Sequence, residues 1–217
     1  MSDAGIYKTI LKEGNHEFVI NKSRFIGYGC PCSTEEEALG FIHRIQLRHR
    51  DATHNCYAYI IGQNSGIMRY SDDGEPGGTA GMPILDVIRK RGIVNCAVVV
   101  TRYFGGVLLG AGGLVRAYTQ GSKEALDASC VILMTKTDRY LIEVDYSIWQ
   151  RLSHYLRSAP VFIEKSEFET SVISSLLIRT CDTPAVLDEI SRISDGRAEF
   201  LYEDSLYYPW PAENEED

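Results

Sequence analysis

Cys96-Ala97-Val98-Val99-Val100-Thr101-Arg102-Tyr103-Phe104-Gly105-Gly106 begins with an apolar run and is followed closely by Gly110-Ala111-Gly112-Gly113. The unbroken run at 96–101 fits a strand buried on both faces. Beyond the glycines, Ala117, Gly121, Ala125 and Ala128 recur at helical spacing and form one narrow face for close packing, while Arg116, Gln120 and Lys123 share the opposite face. A strand, a Gly-rich turn and a helix in this order set backbone N–H groups at a helix N-terminus, an arrangement suited to phosphate or carboxylate.

Upstream, residue type and period predict strands over 6–11, 17–20 and 24–29, then a helix. Ser33 or Thr34 can cap that helix, Glu35, Glu36 and Glu37 suit its positive end, and Ala38, Phe41, Ile42 and Ile45 form its apolar stripe. Arg44 and Arg48 fall off the stripe. A strand at 56–61 and another from Met68 precede a Gly- and Pro-rich loop over 72–83, and a short helix is expected over 84–90.

Downstream the pattern changes. Strand 139–144, helix 148–156, strands 161–168 and 172–180, helix 185–193 and strand 198–203 spell βαββαβ, the ferredoxin-like split motif. Each helix has one apolar stripe, Ile148/Leu152/Tyr155/Leu156 and Val186/Leu187/Ile190/Ile193, as expected if both cover one face of a sheet. The boundary therefore falls near 135–137, giving domains 1–135 and 136–206 and an acidic tail 207–217, with disorder expected beyond Ala212.

Composition narrows the function. The chain has 217 residues, 44% hydrophobic and 10% aromatic, which excludes fibrous, collagenous and tail-like chains. No apolar run reaches the roughly 18 residues of a membrane span, and Met1-Ser2-Asp3-Ala4-Gly5 opens no export signal, so the expected location is cytoplasmic. Cys30, Cys32, Cys56, Cys96, Cys130 and Cys181 follow no framework and read as free thiols. The net charge of −8 argues against indiscriminate attraction to nucleic acid. It is unevenly spread: residues 1–135 carry 14 Lys+Arg against 13 Asp+Glu, and residues 136–217 carry 8 against 17. Only the first part can meet an anion readily.

Within it, Arg102, Tyr103, Phe104, Gly105, Gly106, Gly110, Gly112, Gly113 and Arg116 form the leading candidate site, with donors and guanidinium groups for phosphate and rings to stack a base. The P-loop lysine and strict GxGxxG spacing are absent, which removes an ATP-hydrolysing P-loop. Arg44, Arg48 and the Arg89-Lys90-Arg91 cluster can extend a phosphate-contacting surface. Ser71-Asp72-Asp73-Gly74-Glu75-Pro76-Gly77-Gly78-Thr79-Ala80-Gly81 concentrates carboxylates but misses the calcium-loop pattern, so no metal is assigned. His54 and Cys56 share a strand face without triad or zinc spacing, and His49 reads as a satisfied core histidine.

Lys22-Ser23-Arg24-Phe25-Ile26, His54-Asn55-Cys56-Tyr57-Ala58-Tyr59, the 71–81 loop and the Thr101-Arg102-Tyr103-Phe104-Gly105-Gly106 core resemble, in the right order, the YigZ/IMPACT family. The resemblance covers about residues 20–120 closely. It implies an α+β protein: an N-terminal domain like the second domain of ribosomal protein S5, then a ferredoxin-like domain like domains III and V of elongation factor G. In eukaryotic members, translational control runs through a separate RWD domain, and this chain begins directly at the shared domain. The expectation is a cytoplasmic RNA- or ribosome-associated protein that regulates translation without catalysis and without a cofactor. The alternatives are an enzyme acting on a small phosphorylated or anionic substrate between the 72–81 and 105–113 loops, using Asp72, Asp73, Glu75 or His54, and a protein-interaction module built on the C-terminal sheet.

Overall fold

The computed structural model describes residues 6–210. It is a mixed α+β chain of two compact units, Tyr7–Leu133 and Met134–Pro209. The first unit contains β1 (Ile6–Ile10, entering at Tyr7), β2 (Gly14–Ile20), β3 (Ser23–Pro31), α1 (Glu35–Arg48), β4 (His54–Ile61), β5 (Ile67–Ser71), α2 (Gly81–Lys90), β6 (Cys96–Tyr103) and α3 (Gly110–Ala128). Its sheet runs β2-β3-β6-β4-β5, each neighbouring pair antiparallel.

The 96–101 run becomes the middle strand of this sheet, and alternation sends its side chains into two cores. Val98 and Val100 join Phe25, Ile84, Ile88 and Tyr118 beneath α2 and α3. Ala97 and Val99 join Phe41, Ile42 and Ile45 beneath α1. Thr34 caps α1, accepting from the Glu37 N–H, while the Glu37 carboxylate accepts from the Ser33 N–H. The small-residue face of α3 lies directly on β3: a Cβ at Gly27 would overlap the Gly121 carbonyl oxygen. Ala128, expected on that face, is only half-buried, and the buried set is Leu114, Ala117, Tyr118, Gly121, Ser122, Ala125 and Leu126.

In the second unit β7 (Val131–Val144), α4 (Tyr146–Leu156), β8 (Val161–Phe168), β9 (Val172–Arg179), α5 (Thr183–Ile193) and β10 (Glu199–Trp210) follow in the order βαββαβ. Its sheet has five strands, with β1-β7-β9-β8 as neighbours in that order and β10 also paired to β7. Both helices face one core, with Ile148, Leu152, Leu156, Val186 and Ile190 packed against Ile142, Val144, Val172, Leu176 and Ile178.

Several boundaries differ from expectation, three of them with consequences for the layout. α2 starts at Gly81 instead of 84, because the Asp72 carboxylate accepts from the N–H groups of Gly78, Ala80 and Gly81 and so organises the first turn. β7 starts at Val131, so residues 135–137 lie inside a strand and the units divide within it. β10 continues through Trp210, which makes residues 207–210 strand instead of tail; Phe162 stacks against Tyr208 at 5.2 Å. The expected disorder beyond Ala212 lies outside the described residues. No helix among the described residues is long and apolar enough to cross a membrane.

Candidate functional site

The three carboxylates of the 72–75 loop point to three different places. Asp72 caps α2 as described. Asp73 accepts from the Asn55 N–H at 2.6 Å, and its carbonyl lies 2.7 Å from His54 Nδ1. Glu75, 8% exposed, turns inward. Its Oε1 accepts from Arg102 Nη1 at 2.7 Å and from the Tyr118 hydroxyl at 2.8 Å. The loop thus spends its carboxylates on separate partners, and among the described residues no group of three or more His, Cys, Asp or Glu could hold a metal.

Arg102 is 5% exposed and clamped. Its guanidinium lies 5.5 Å from the Phe25 ring centroid and 5.4 Å from that of Phe104, and Nη2 reaches Ser23 Oγ at 3.4 Å. Such a buried charge is tolerable only with a paired carboxylate and aromatic faces around it. Its Nε has no hydrogen-bond partner. Arg102, expected to contact phosphate, forms part of the floor of a cleft.

That cleft, about 400 Å³, lies between the 74–76 loop and the turn leading into α3. His54, Glu75, Arg102, Phe104, Leu108 and Gly110 line it. Leu109 occupies the N-cap of α3 with no side-chain hydrogen bond, and the first turn holds no acidic residue. The positive end of a 19-residue helix therefore meets the cleft with no acidic residue in its own first turn. Because a carbonyl can only accept, His54 Nδ1 carries the proton toward Asp73, and Nε2 faces Glu75 Oε2 at 3.9 Å. Phe104 and Leu108, 46% and 85% exposed, give the rim an apolar edge.

The expected constellation is thus divided. Arg102, Phe104, Gly110, Glu75 and His54 meet at the cleft; Gly112 and Gly113 follow in the first turn of α3, and Gly106 lies on the exposed turn. Gly105 serves a chain crossing: its N–H donates to Ser23 Oγ, and a Cβ there would overlap the Lys22 backbone. Tyr103 leaves for the opposite face of the sheet, where its hydroxyl lies 2.8 Å from His49 Nδ1 while Tyr28 holds His49 Nε2 at 2.7 Å. His49 is accordingly a satisfied buried histidine, and burial holds its pKa below the usual imidazole value, with help from Arg48 and Arg24. Arg44 forms a two-pronged pair with Glu13, and Arg48 lies over the Tyr28 ring at 6.0 Å. Arg116 is exposed on α3 outside the cleft.

Cys56 is buried and donates to the Asp72 carbonyl at 2.9 Å. Burial pushes its thiol well above the ordinary range, which removes it as a nucleophile. Sequence reasoning missed Tyr118, Ser23 and Thr53. Tyr118 could have been flagged by its place beside Ala117 on the packed side of α3; Ser23 and Thr53, which holds the Phe104 N–H at 2.9 Å, carried no such signal.

Comparison with known proteins accords with this layout. Residues 21–126, which contain every cleft residue, match the family model described as the Impact N-terminal domain. The chain is 38% identical over 202 residues to IMPACT family member YvyE of Bacillus subtilis (strain 168), covering 93% of each chain. It is 32% identical to IMPACT family member YigZ of Escherichia coli (strain K12), over 84% of this chain and 90% of that one. A solved structure described as that of an hypothetical protein superposes with a TM-score of 0.58 at 29% identity, covering 92% of this chain and 98% of the other. The match to the Impact N-terminal domain, with 38% identity to IMPACT family member YvyE along nearly the whole length, places the chain in the IMPACT family.

Proposed function

We propose that the protein is a cytoplasmic RNA- or ribosome-associated regulator of translation that acts without catalysis and holds a phosphate of its partner at the N-terminus of α3. In this reading the first unit is an S5 domain 2-like fold. The second, in which β9 pairs β8 and β7 and β7 also pairs β10, is a ferredoxin-like fold of the kind in domains III and V of elongation factor G. The observation that carries the proposal is the start of α3, with no side-chain cap and no acidic residue in its first turn, opening on a cleft floored by Arg102. Oriented N–H groups and a helix dipole favour an anion there, Phe104 and Leu108 offer flat apolar contact to a base, and Arg116 adds an exposed charge.

The test is binding to short single-stranded RNA and to ribosomes at two salt concentrations, with an Ala111→Asp variant beside the native chain. A carboxylate in the first turn of α3 suits the helix while repelling phosphate, so folding and binding separate. Salt-sensitive binding that the variant loses supports the proposal; binding unchanged in Ala111→Asp removes it. A second reading, an enzyme for a small phosphorylated or anionic substrate in the same cleft, is favoured by the approach of His54 to Glu75. Phosphate release from a small phosphoester that disappears in His54→Asn would replace the first reading with the second.

A further inference from the structure

Away from the cleft, α2 and α3 pack side by side and leave a groove of about 370 Å³ along their outer surface. Met82, Pro83, Val87 and Val115 form its apolar floor, and Lys90 and Lys123 stand at its edge. Met82 on α2 and Val115 on α3, both lining the groove, are 38% and 37% exposed. The other charges nearby are already engaged. Asp86 is held by Arg89 at 3.1 Å, and Arg91 by Asp127 at 2.6 Å, with a further bond to the Lys123 carbonyl. Lys90 and Lys123 meet no partner among the described residues. What remains after internal pairing is an adaptable apolar floor and two free ammonium groups.

We infer that this groove docks an acidic amphipathic helix of a partner protein. One of its aliphatic side chains would seat on Met82, Val87 and Val115, and flanking carboxylates would meet Lys90 and Lys123. Methionine on such a floor accommodates side chains of varied shape, and helix-in-groove recognition reads an apolar stripe edged by charge. RNA fits the groove less well, because the floor has no aromatic ring on which a base could stack and the Asp86 carboxylate lies within it. The inference stands independently of the anion cleft.

The test uses the full chain and a short, acetylated, labelled peptide with leucines on one helical face flanked by glutamates. Control peptides carry serine for leucine or lysine for glutamate, and a short single-stranded RNA forms a further arm. The expected result is saturable binding weakened about tenfold in Lys90→Glu/Lys123→Glu, no binding of the serine peptide, and amide shifts confined to the facing sides of α2 and α3. The lysine peptide should recover affinity for the charge-reversed variant, which excludes misfolding as the cause of the loss. Equal binding of the glutamate peptide to both proteins, shifts elsewhere, or no saturation overturns the inference. So does RNA that competes at the same residues with higher affinity, or a dimer of the native chain dissolved by Lys90→Glu/Lys123→Glu.

Discussion

Replacing Arg102 by Met tests whether the floor of the cleft is a buried ion pair. The Arg102 and Glu75 side chains are 6% and 3% exposed, and Nη1 lies 2.7 Å from Oε1. Removing the guanidinium leaves Glu75 with the Tyr118 hydroxyl as its one close donor, and an uncompensated buried charge costs about 3–5 kcal/mol. For a folded unit whose total stability is of order 5–15 kcal/mol, that is a large share. At roughly 4 °C per kcal/mol for a unit of this size, the melting temperature should fall by about 12–20 °C. Glu75→Gln should cost a comparable amount by stranding the guanidinium. The double variant Glu75→Gln/Arg102→Met should cost much less than the two together, since neutral groups of similar volume then fill the site. Tryptophan emission mixes the two units, because Trp149 lies on α4 in Met134–Pro209 whereas Trp210 falls with Tyr7–Leu133. Far-UV circular dichroism in urea, with amide exchange along β6, reports the right unit. A loss below about 1 kcal/mol in Arg102→Met, or additive losses in the double variant, would refute the buried-pair account.

Three further outcomes follow from the same geometry. His49 has a folded pKa below its ordinary 6.5, so as pH falls the unfolded chain takes up the proton first. Its contribution to stability is full above about pH 6.5 and declines as pH falls through the folded value, at up to about 1.4 kcal/mol per pH unit; urea melts at pH 7.5 and 5.5 should show the decline in the native chain and lose it in His49→Gln. Asp72→Ala should cost about 1–3 kcal/mol and speed amide exchange at Gly78, Ala80 and Gly81, the three donors it holds; unchanged exchange there would contradict the capping role. Gly27→Ala should destabilise by 2 kcal/mol or more, on the order of other overpacked cores, because the overlap is with the α3 backbone and no rotamer relieves it; a neutral result in thermal melts would disprove the close helix–sheet approach.

How far the sequence could be read depended on the range of the interaction concerned. Val98–Val100 as a central strand, Thr34 with Glu37 at the start of α1, and the βαββαβ order were legible because local period and capping chemistry set them. The carboxylates of the 72–75 loop were not. Glu75 finds its partners 27 and 43 residues away, and nothing near it distinguishes an inward-turning carboxylate from a solvated one. The start of α2 was misplaced for a related reason: its cap is Asp72, which reaches forward across a loop to Gly81. The extended ends of β7 and β10 run past the apolar stretches that signalled them, since neighbouring backbone sustains pairing through polar residues such as Thr135-Lys136-Thr137.

The Thr101-Arg102-Tyr103-Phe104-Gly105-Gly106 core shows why a distinctive motif is not a single site. Strand alternation forbids Arg102 and Tyr103 from sharing a face, so one enters the core beneath α3 and the other reaches His49 beneath α1. Gly105 is required by the crossing over Lys22, and Phe104, anchored through its N–H by Thr53, covers the buried guanidinium with one side of its ring while exposing the other. Most of the motif therefore builds the floor, and the surface open to a ligand is the exposed side of Phe104 with the stretch that follows, Leu108, Leu109, Gly110 and Ala111. Substitutions in the two parts should separate cleanly. Arg102 or Gly105 variants destabilise the fold and weaken binding together, whereas Leu108→Ser or Ala111→Asp keeps the native melting temperature and loses only the ligand. If Leu108→Ser melts as the native chain does and binds as well, the rim is not the contact surface, and the motif is scaffold throughout.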